Sequence, residues 1–285
     1  MKFTCRPEAL SAFGPENTLR KQNFCTKVRT AQQHCGTCYF ASETMLKTEG
    51  FIIRKIPYGD NSAILRIFTR EEGLLSFMVH GMQRKQGSNA PRSQVMNHVS
   101  LVYYPGGSSS LLRVKEIQAS GVYAPLFQDP VKVQVLLFCA ELLNLLLEER
   151  AADPALYGEL ENFYDQLNHT TNFTLWPLWF LLNLLKNQGM APHLHFGAQT
   201  IGFDPNSGNM IQEETLIERT RYLGLQGCHL AKQLLDADYQ ELANIQSTAE
   251  VRAETLDQMQ AFCEQHLLQG KRLKSVEIIR EVLRQ

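Results

Sequence analysis

The sequence predicts an α+β protein: a small five-stranded barrel, then an all-helical domain with a short non-helical insertion. Between Met45 and Ile117, apolar residues alternate along short segments, as in strands with one buried face. After Gly121 they recur every three or four positions, as in packed helices. Net charge changes at the same place, from +5 over residues 45–120 to −9 over residues 121–285. We therefore expect two domains with these bounds.

Each predicted strand ends at residues that favour turns. Pro57 stops the first strand, and Glu71–Gly73 closes a hairpin between the second and the third. A set of short strands of this kind avoids open edges by closing into a barrel. The five predicted strands are Gly50–Ile56, Ala63–Arg70, Leu75–Val79, Val99–Tyr103 and Leu111–Ile117.

The helices have recognisable start signals. At Asp129-Pro130 and again at Asp153-Pro154, a capping residue precedes a proline in the first helical position. A third helix is predicted over Leu175–Gln188, and helical patterns resume near Thr215 and continue to the end. Between them, the segment at about 190–212 is Gly-rich and is predicted to be a non-helical insertion.

Residues 1–44 follow neither period, carry a net charge of +3 and hold four of the seven cysteines. We expect an unstructured tail. Met45 opens the patterned sequence and is expected to be the natural initiator, with the tail upstream of it. Cys35 and Cys38 have the spacing of half a zinc site, but a second matched pair is missing from the sequence. The cysteines are therefore expected to be reduced thiols.

Motifs for enzymatic, metal or membrane function are scarce. The sequence contains no P-loop, dinucleotide-binding, zinc-protease or nucleophile-elbow motif, so we expect no enzyme and no cofactor. Phe203–Gly208 is similar to the opening of a calcium loop, but Thr215 stands where a glutamate belongs, so a hairpin turn is predicted. His193 and His195 lack a second ligand pair, and no metal is predicted. The sequence has no apolar run of about 18–20 residues, so no membrane association is expected.

Basic residues concentrate on the predicted barrel and on the connection Met82–Ser93, which contains no acidic residue. If several of these cations line one groove, that groove would follow the phosphates of a nucleic acid, and Tyr58, Tyr103 and Tyr104 would offer faces for base stacking. The same residues also fit a solvated barrel with scattered charges and core aromatics. The candidate DNA-binding residues are Arg54, Lys55, Arg66, Arg70, Arg84, Lys85, Arg92, Arg113 and Lys115.

A long segment, Met45–Gly73, resembles the amino terminus of bacterial RecO proteins, the recombination mediators. Gly81–Lys85 is similar to the basic loop after the third strand of that family. Asn187–Pro192 is similar to the helix end before the family's zinc-knuckle region. Three further similarities follow the order of the chain, at Leu111–Ile117 (last barrel strand), Phe203–Gly208 (hairpin) and Leu273–Leu283 (terminal helix). The resemblance covers 241 residues, from Met45 to the end.

The resemblance implies an OB-fold, a helical domain and a function in recombinational repair in the bacterial cytoplasm, at the nucleoid. It implies binding to single- and double-stranded DNA and annealing of complementary strands. It also implies partnership with RecR and with the single-stranded-DNA-binding protein, so that RecA is loaded indirectly, without bond-making chemistry. Two departures stand out. The insertion lacks the zinc cysteines of many relatives, so no metal is expected there, and residues 1–44 match nothing recognisable.

The acidic carboxyl-terminal tail of a single-stranded-DNA-binding protein ends in an apolar residue, so it should bind an apolar pocket rimmed by cations. In the acidic helical domain the candidates are Lys132, Lys186, Arg219 and Arg221. The alternative for each is a solvated helix charge. A second hypothesis for the whole chain is an OB-fold scaffold for protein interactions without direct DNA function.

Overall fold

The computed structural model describes residues 45–80, 93–105, 110–212 and 222–283. Over these residues a closed five-stranded barrel is followed by helices and a small three-stranded sheet, which confirms the predicted fold class. The barrel strands are β1 (Leu46–Tyr58), β2 (Ser62–Thr69), β3 (Gly73–His80), β4 (His98–Tyr104) and β5 (Leu111–Ala119). The small sheet consists of β6 (Thr200–Asp204), β7 (Asn209–Gln212) and β8 (Leu223–Gly224). The α-helices are α1 (Pro130–Leu146), α2 (Pro154–His169), α3 (Trp176–Asn187), α4 (Leu225–Asp236), α5 (Ala249–His266) and α6 (Val276–Leu283).

The barrel closes in the order β1-β2-β3-β5-β4. The β3–β5 pair is parallel and the other pairs are antiparallel. Alternate side chains point inward and form a core of their own, in which Ile52, Leu65 and Phe77 have no exposed surface. Closure pairs every one of these five short strands on both sides, as expected for a barrel.

Strand β1 pairs with its two neighbours along different parts of its length. Its first half pairs with β4 and its second half pairs with β2. The register shifts between Ile52 and Arg54, and such a bulge bends a strand and changes which residues face outward. Where the two pairings overlap, a Cβ on Gly50 would lie 2.4 Å from the carbonyl oxygen of Phe68, so only glycine fits there.

The predicted helix starts are confirmed. The carboxylate of Asp129 accepts hydrogen bonds from the backbone of Val131 and Lys132 at the start of α1, and Asp153 accepts one from Leu156 at the start of α2. Each cap satisfies backbone donors that a first turn leaves unpaired. No α-helix in the described part of the chain is long and apolar enough to cross a bilayer.

The insertion is non-helical, as predicted, and holds the antiparallel hairpin of β6 and β7. Asp204 accepts hydrogen bonds from the Asn206 amide and the Ser207 hydroxyl. Hydrogen bonds of this kind stabilise turns, so the predicted hairpin turn is confirmed. The predicted helix start near Thr215 lies outside the described residues, and the first helix that the structure describes after the insertion begins at Leu225.

The barrel and the helices belong to one compact unit, residues 44–285. Their junction is aromatic: the ring of Phe51 leaves the barrel and lies 4.7 Å from that of Tyr164 and 5.5 Å from that of Tyr157, between ring centroids. Backbone bonding adds to this contact, because the Arg150 amide donates to the carbonyl oxygen of Leu74. The expected domain boundary at residues 120 and 121 stays a prediction.

Candidate nucleic-acid interface

The outward side of β1, β2 and β3 forms one continuous surface. Residues paired directly across neighbouring antiparallel strands lie on the same side of the sheet. The register therefore places nine side chains in three rows, which we call the outer face. The rows are Arg54–Arg66–Ser76, Ile56–Ile64–Met78 and Tyr58–Ser62–His80.

The rows of the outer face differ in chemistry. Two guanidinium groups occupy one end, an apolar row crosses the middle, and an aromatic ring and a histidine occupy the other end. Tyr58 is 57% exposed and Ile56 is 36% exposed. Since none of the nine residues is acidic, the surface can attract phosphates and also offers flat or apolar groups to bases.

Arg113 extends the outer face onto β5. It pairs with Met78 on one side and with Tyr104 on the other, so a cation and an aromatic ring continue the apolar row. Lys115 is exposed and lies further along β5, with its Nζ 3.2 Å from Sδ of Met45. Glu116 next to it is also exposed, so the uniformly basic character ends there.

The helical domain reaches the arginine end of the outer face. Nη1 of Arg66 donates to Oδ1 of Asn144 on α1 at 2.6 Å. The Ser76 hydroxyl donates to the Glu149 carboxylate at 2.9 Å. Burial lowers the pKa of the Arg66 guanidinium, Glu149 raises it, and Arg54 lowers it further. The positive charge of Arg54, directly across the strand pair, therefore disfavours the charged form of Arg66.

Lys55 lies on the side of β1 opposite to Arg54, because successive side chains alternate. Its ammonium group donates to the Ser93 hydroxyl at 2.8 Å. Ser93 follows the connection that begins after His80, so the described ends of that connection lie beside the outer face and beside Lys55. The candidates on the connection, Arg84, Lys85 and Arg92, lie outside the described residues.

Arg70 points toward the helices and away from the outer face. Its guanidinium forms an ion pair with Glu161 and lies 4.7 Å from the centroid of the Tyr157 ring. These contacts join the end of β2 to α2.

The expectation that Tyr103 offers its ring for base stacking is wrong. Tyr103 is 2% exposed and packs inside the barrel, 5.3 Å from the ring of Phe77. Its hydroxyl donates to Glu72. The side is set by alternation along β4, on which Val99, Leu101 and Tyr103 all point inward.

Two of the four partner-binding candidates can be located. Lys132 is only 9% exposed, and its ammonium group donates to the carbonyl oxygen of Leu167 at 2.7 Å, at the end of α2. This corrects the expectation of a surface cation at Lys132. Its positive charge is buried and is stabilised by the negative end of the dipole of α2. Lys186 is exposed and donates to the carbonyl oxygen of Leu235. Arg219 and Arg221 lie outside the described residues.

Sequence reasoning missed several residues at this interface. Ile64, Met78 and His80 belong to the outer face, and Asn144 and Glu149 reach its edge. The first three could have been found from the alternation along β2 and β3, which places them on the side opposite to the buried apolar residues. The last two depend on how α1 and the connection after it pack on the barrel, for which the sequence carries no local signal.

Metal and thiol chemistry find little support in the residues that the structure describes. Among them, no three His, Cys, Asp or Glu side chains are grouped to hold a metal ion. The rings of His193 and His195 lie 6.4 Å apart, between centroids. Cys228 and Cys263 are buried, and burial raises the pKa of each thiol to about 12, which keeps them protonated and unreactive.

This chain is similar to known proteins along most of its length. A family model described as Recombination protein O N terminal matches residues 44–123, and one described as Recombination protein O C terminal matches residues 128–277. The DNA repair protein RecO of Christiangramia forsetii is 24% identical over 240 residues, covering 84% of this chain and 99% of that protein. The DNA repair protein RecO of Exiguobacterium sibiricum is 27% identical over 248 residues, covering 83% and 97%.

Proposed function

Since this chain belongs to the RecO family of DNA repair proteins, we propose that it is a recombination mediator whose barrel binds single- and double-stranded DNA. The observation that carries the proposal is the outer face, which combines Arg54 and Arg66 with an apolar row, exposed at Ile56, and contains no acidic residue. Arg113 continues it on β5. Surfaces of this composition bind single strands in other OB-folds.

The proposed mechanism of annealing follows from which part of the DNA each group contacts. Arginines at the edge of the outer face bind phosphates, which screens the repulsion between two approaching strands. Bases can pack against Ile56 and stack on Tyr58, and they dissociate from these side chains when they pair with a complementary strand. A duplex offers only its phosphates and is bound by the cations alone.

The remaining DNA-binding candidates are assigned different roles in this proposal. Arg84, Lys85 and Arg92 are proposed to contact DNA because their connection starts beside the outer face. Lys55 adds positive charge near the end of that connection, and Lys115 does so at the border on β5. Arg70, in contrast, is proposed to join the barrel to the helices, because Glu161 already neutralises it.

The proposed partners are RecR, the single-stranded-DNA-binding protein and, indirectly, RecA, which together act at DNA gaps in the bacterial cytoplasm. No chemical bond is made or broken by this chain in the proposal. Lys186, Arg219 and Arg221 stay candidates for the rim of a site for the acidic tail. Lys132 does not, because its ammonium group is bonded inside the helical domain.

The test is annealing of two complementary oligonucleotides coated with their cognate single-strand-binding protein, at low and at high salt. The wild-type chain should accelerate annealing, and more salt should reduce the effect. Replacing Arg54, Arg66 and Arg113 by Gln should slow annealing and lower the slope of log affinity against log salt by about 1–2, at roughly 0.7 per phosphate contact. The control replaces three exposed cations of the helical domain, Lys271, Arg272 and Lys274, by Gln.

One observation favours a second candidate function. The apolar row Ile56–Ile64–Met78 could bind a polypeptide, so that the barrel would be a protein-interaction scaffold. DNA binding that is weak even at low salt, with unchanged annealing, would favour the scaffold. Equal effects of the barrel triple variant and the control variant would also count against the DNA-binding outer face.

A further inference from the structure

Resting on the proposed DNA-binding function, we propose that Arg54 and Arg66 form one clamp for a single phosphodiester group, and that Asn144 positions its Arg66 half. Asn144 belongs to α1, so the helical domain would contribute to DNA binding without touching DNA. The inference depends on three observations: the register of two arginines, the charges around them, and the hydrogen bond that holds one of them.

The register places the two arginines directly opposite each other. Arg54 of β1 pairs with Arg66 of β2, immediately after the register shift in β1. Directly paired residues have Cβ atoms about 5 Å apart, and like charges in this arrangement destabilise a sheet. From Cβ atoms this close, the two guanidinium groups can converge and donate to the two free oxygens of one phosphodiester. A bound phosphate would remove the repulsion that the pairing creates.

The surrounding residues leave this charge unneutralised. In the described parts of the chain, neither Arg54 nor Arg66 lies within 4 Å of a carboxylate oxygen, whereas Arg70 is ion-paired to Glu161. The negative charge of Glu149 raises the pKa of Arg66, but that carboxylate accepts its hydrogen bond from Ser76. Because no carboxylate oxygen of the described residues lies within 4 Å of either guanidinium group, an external anion is a suitable partner for the pair.

Asn144 fixes Arg66 without cancelling its charge. Its amide oxygen accepts from Nη1 of Arg66 at 2.6 Å, which uses one of the five N–H donors of the guanidinium. Asn144 lies in the last turn of α1 next to Leu143, which is fully buried, so its backbone is anchored in the core. A carboxylate in the same place would form an ion pair with Arg66 and compete with the phosphate.

The two arginines of the clamp differ in the conformational freedom of their side chains. This difference is the reason for assigning a positioning role to Asn144. Arg54 is exposed and free to adjust, whereas Arg66 is half-buried and held by Asn144. Ordering a long side chain costs conformational entropy, so an arginine that is already ordered binds a phosphate with less loss. Removing the amide should therefore weaken binding while leaving all DNA-contacting groups in place.

The experiment measures the affinity of the full chain for a labelled single-stranded oligonucleotide by fluorescence anisotropy across a salt series. Arg54→Gln and Arg66→Gln should each weaken binding about tenfold at low salt and lower the salt slope by about 0.7. Asn144→Ala should weaken binding by about threefold, and Asn144→Asp by about tenfold. The opposite pattern is expected for folding: Asn144→Asp should keep or raise the melting temperature, because it pairs with Arg66.

A double variant separates positioning from general structure. If Asn144 acts through Arg66, Asn144→Ala should have no effect on affinity in the Arg66→Gln background. Gln134→Ala on the same helix is the control and should bind as the wild type does. A peptide nucleic acid of the same sequence carries bases but no phosphates, so its binding should not respond to either arginine substitution.

The outcomes distinguish this inference from the proposed function. Wild-type binding without salt dependence would contradict the DNA-binding function itself. Salt-dependent binding that is unchanged in Asn144→Asp would refute only the positioning role. Equal losses from Asn144→Ala with and without Arg66 would also refute it, because the effect would then not pass through that arginine.

Discussion

The carboxylate of Glu141 on α1 accepts two hydrogen bonds from Ser275, one from its backbone amide at 2.8 Å and one from its hydroxyl at 2.6 Å. A third comes from the amide of Lys274. Helix α6 begins at the next residue, Val276, so a side chain from the first helix of the domain caps the last. The carboxylate satisfies unpaired backbone donors and lies at the positive end of the helix dipole.

Replacing Glu141 by Ala should therefore release α6 and lower the free energy of unfolding by about 1–2 kcal/mol. Urea unfolding followed by circular dichroism measures it. Gln166→Ala, at an exposed position of α2, is the control and should change stability by less than about 0.5 kcal/mol. Equal stabilities of the two variants would mean that the cap contributes nothing to stability.

A pair of glycines tests how closely the barrel and the helical domain approach. Gly73 and Gly59 both have positive φ, at 72° and 62°. A Cβ on Gly73 would lie 2.0 Å from the carbonyl oxygen of Ala151, whereas a Cβ on Gly59 would meet nothing within 4 Å. Gly59→Ala should cost about 1 kcal/mol for backbone strain, and Gly73→Ala should cost at least about 2 kcal/mol more. Thermal unfolding of both variants measures the difference, which a similar loss in each would contradict.

The parts of the fold that were predictable from the sequence are those with local causes. Alternation alone located the five strands, because an inward-facing residue must be apolar whichever strand lies beside it. The caps at Asp129 and Asp153 were predictable for the same reason, since a cap bonds to residues two or three positions away. The turn at Asp204 belongs to this group.

The grouping of site residues was not predictable, because it depends on non-local packing. Arg66 and Arg70 are four residues apart with Phe68 between them, so alternation places all three on the same side of β2. In the fold, Phe68 is fully buried and packs against Tyr157 of α2, which divides the two arginines. One then faces the outer surface and the other faces Glu161. A bulge at Ile52/Arg54 decided the partner of Arg66, and sequence alternation does not reveal bulges.

Lys132 should matter for folding and not for binding. Its ammonium group donates to carbonyl oxygens at the end of α2 and lies 5.8 Å from the centroid of the Phe173 ring. Lys132→Met keeps the length of the side chain and removes the charge, and it should lower the free energy of unfolding by about 1–2 kcal/mol. Its affinity for a labelled oligonucleotide should equal that of the wild type. A folded variant that has lost affinity for the acidic tail would restore a binding role to this residue.

Arg70 should differ from Arg66 in the same two measurements. Arg70→Met removes the ion pair with Glu161 and the contact with the Tyr157 ring. Because the side chains of Arg70 and Glu161 are partly exposed, a loss of about 1 kcal/mol in stability is expected. The salt slope of DNA binding should not change. Arg66→Met provides the comparison, with a lower salt slope and a smaller change in stability. A lower slope for Arg70→Met would place this arginine among the DNA contacts.

His98 should make the junction between barrel and helices sensitive to acid. Its ring is buried 4.8 Å from that of Phe51, between centroids, and Nε2 lies 3.1 Å from the hydroxyl oxygen of Tyr157. Burial lowers the pKa of His98, Glu49 raises it, and Arg70 lowers it. In the unfolded chain the pKa is about 6.5. As pH falls through that value, the unfolded state binds a proton that the folded state does not, so stability decreases with falling pH.

Replacing His98 by Phe should remove this part of the pH dependence. The variant keeps an aromatic ring in the cluster and loses the contact with Tyr157, so it should be less stable than the wild type at pH 8. Between pH 7 and pH 5 the wild type should lose stability faster, and the difference between the two proteins should shrink, because only the wild type carries the proton linkage of this histidine. Urea unfolding at three pH values measures it. Parallel stability curves would mean that the histidine titrates alike in the folded and unfolded chain.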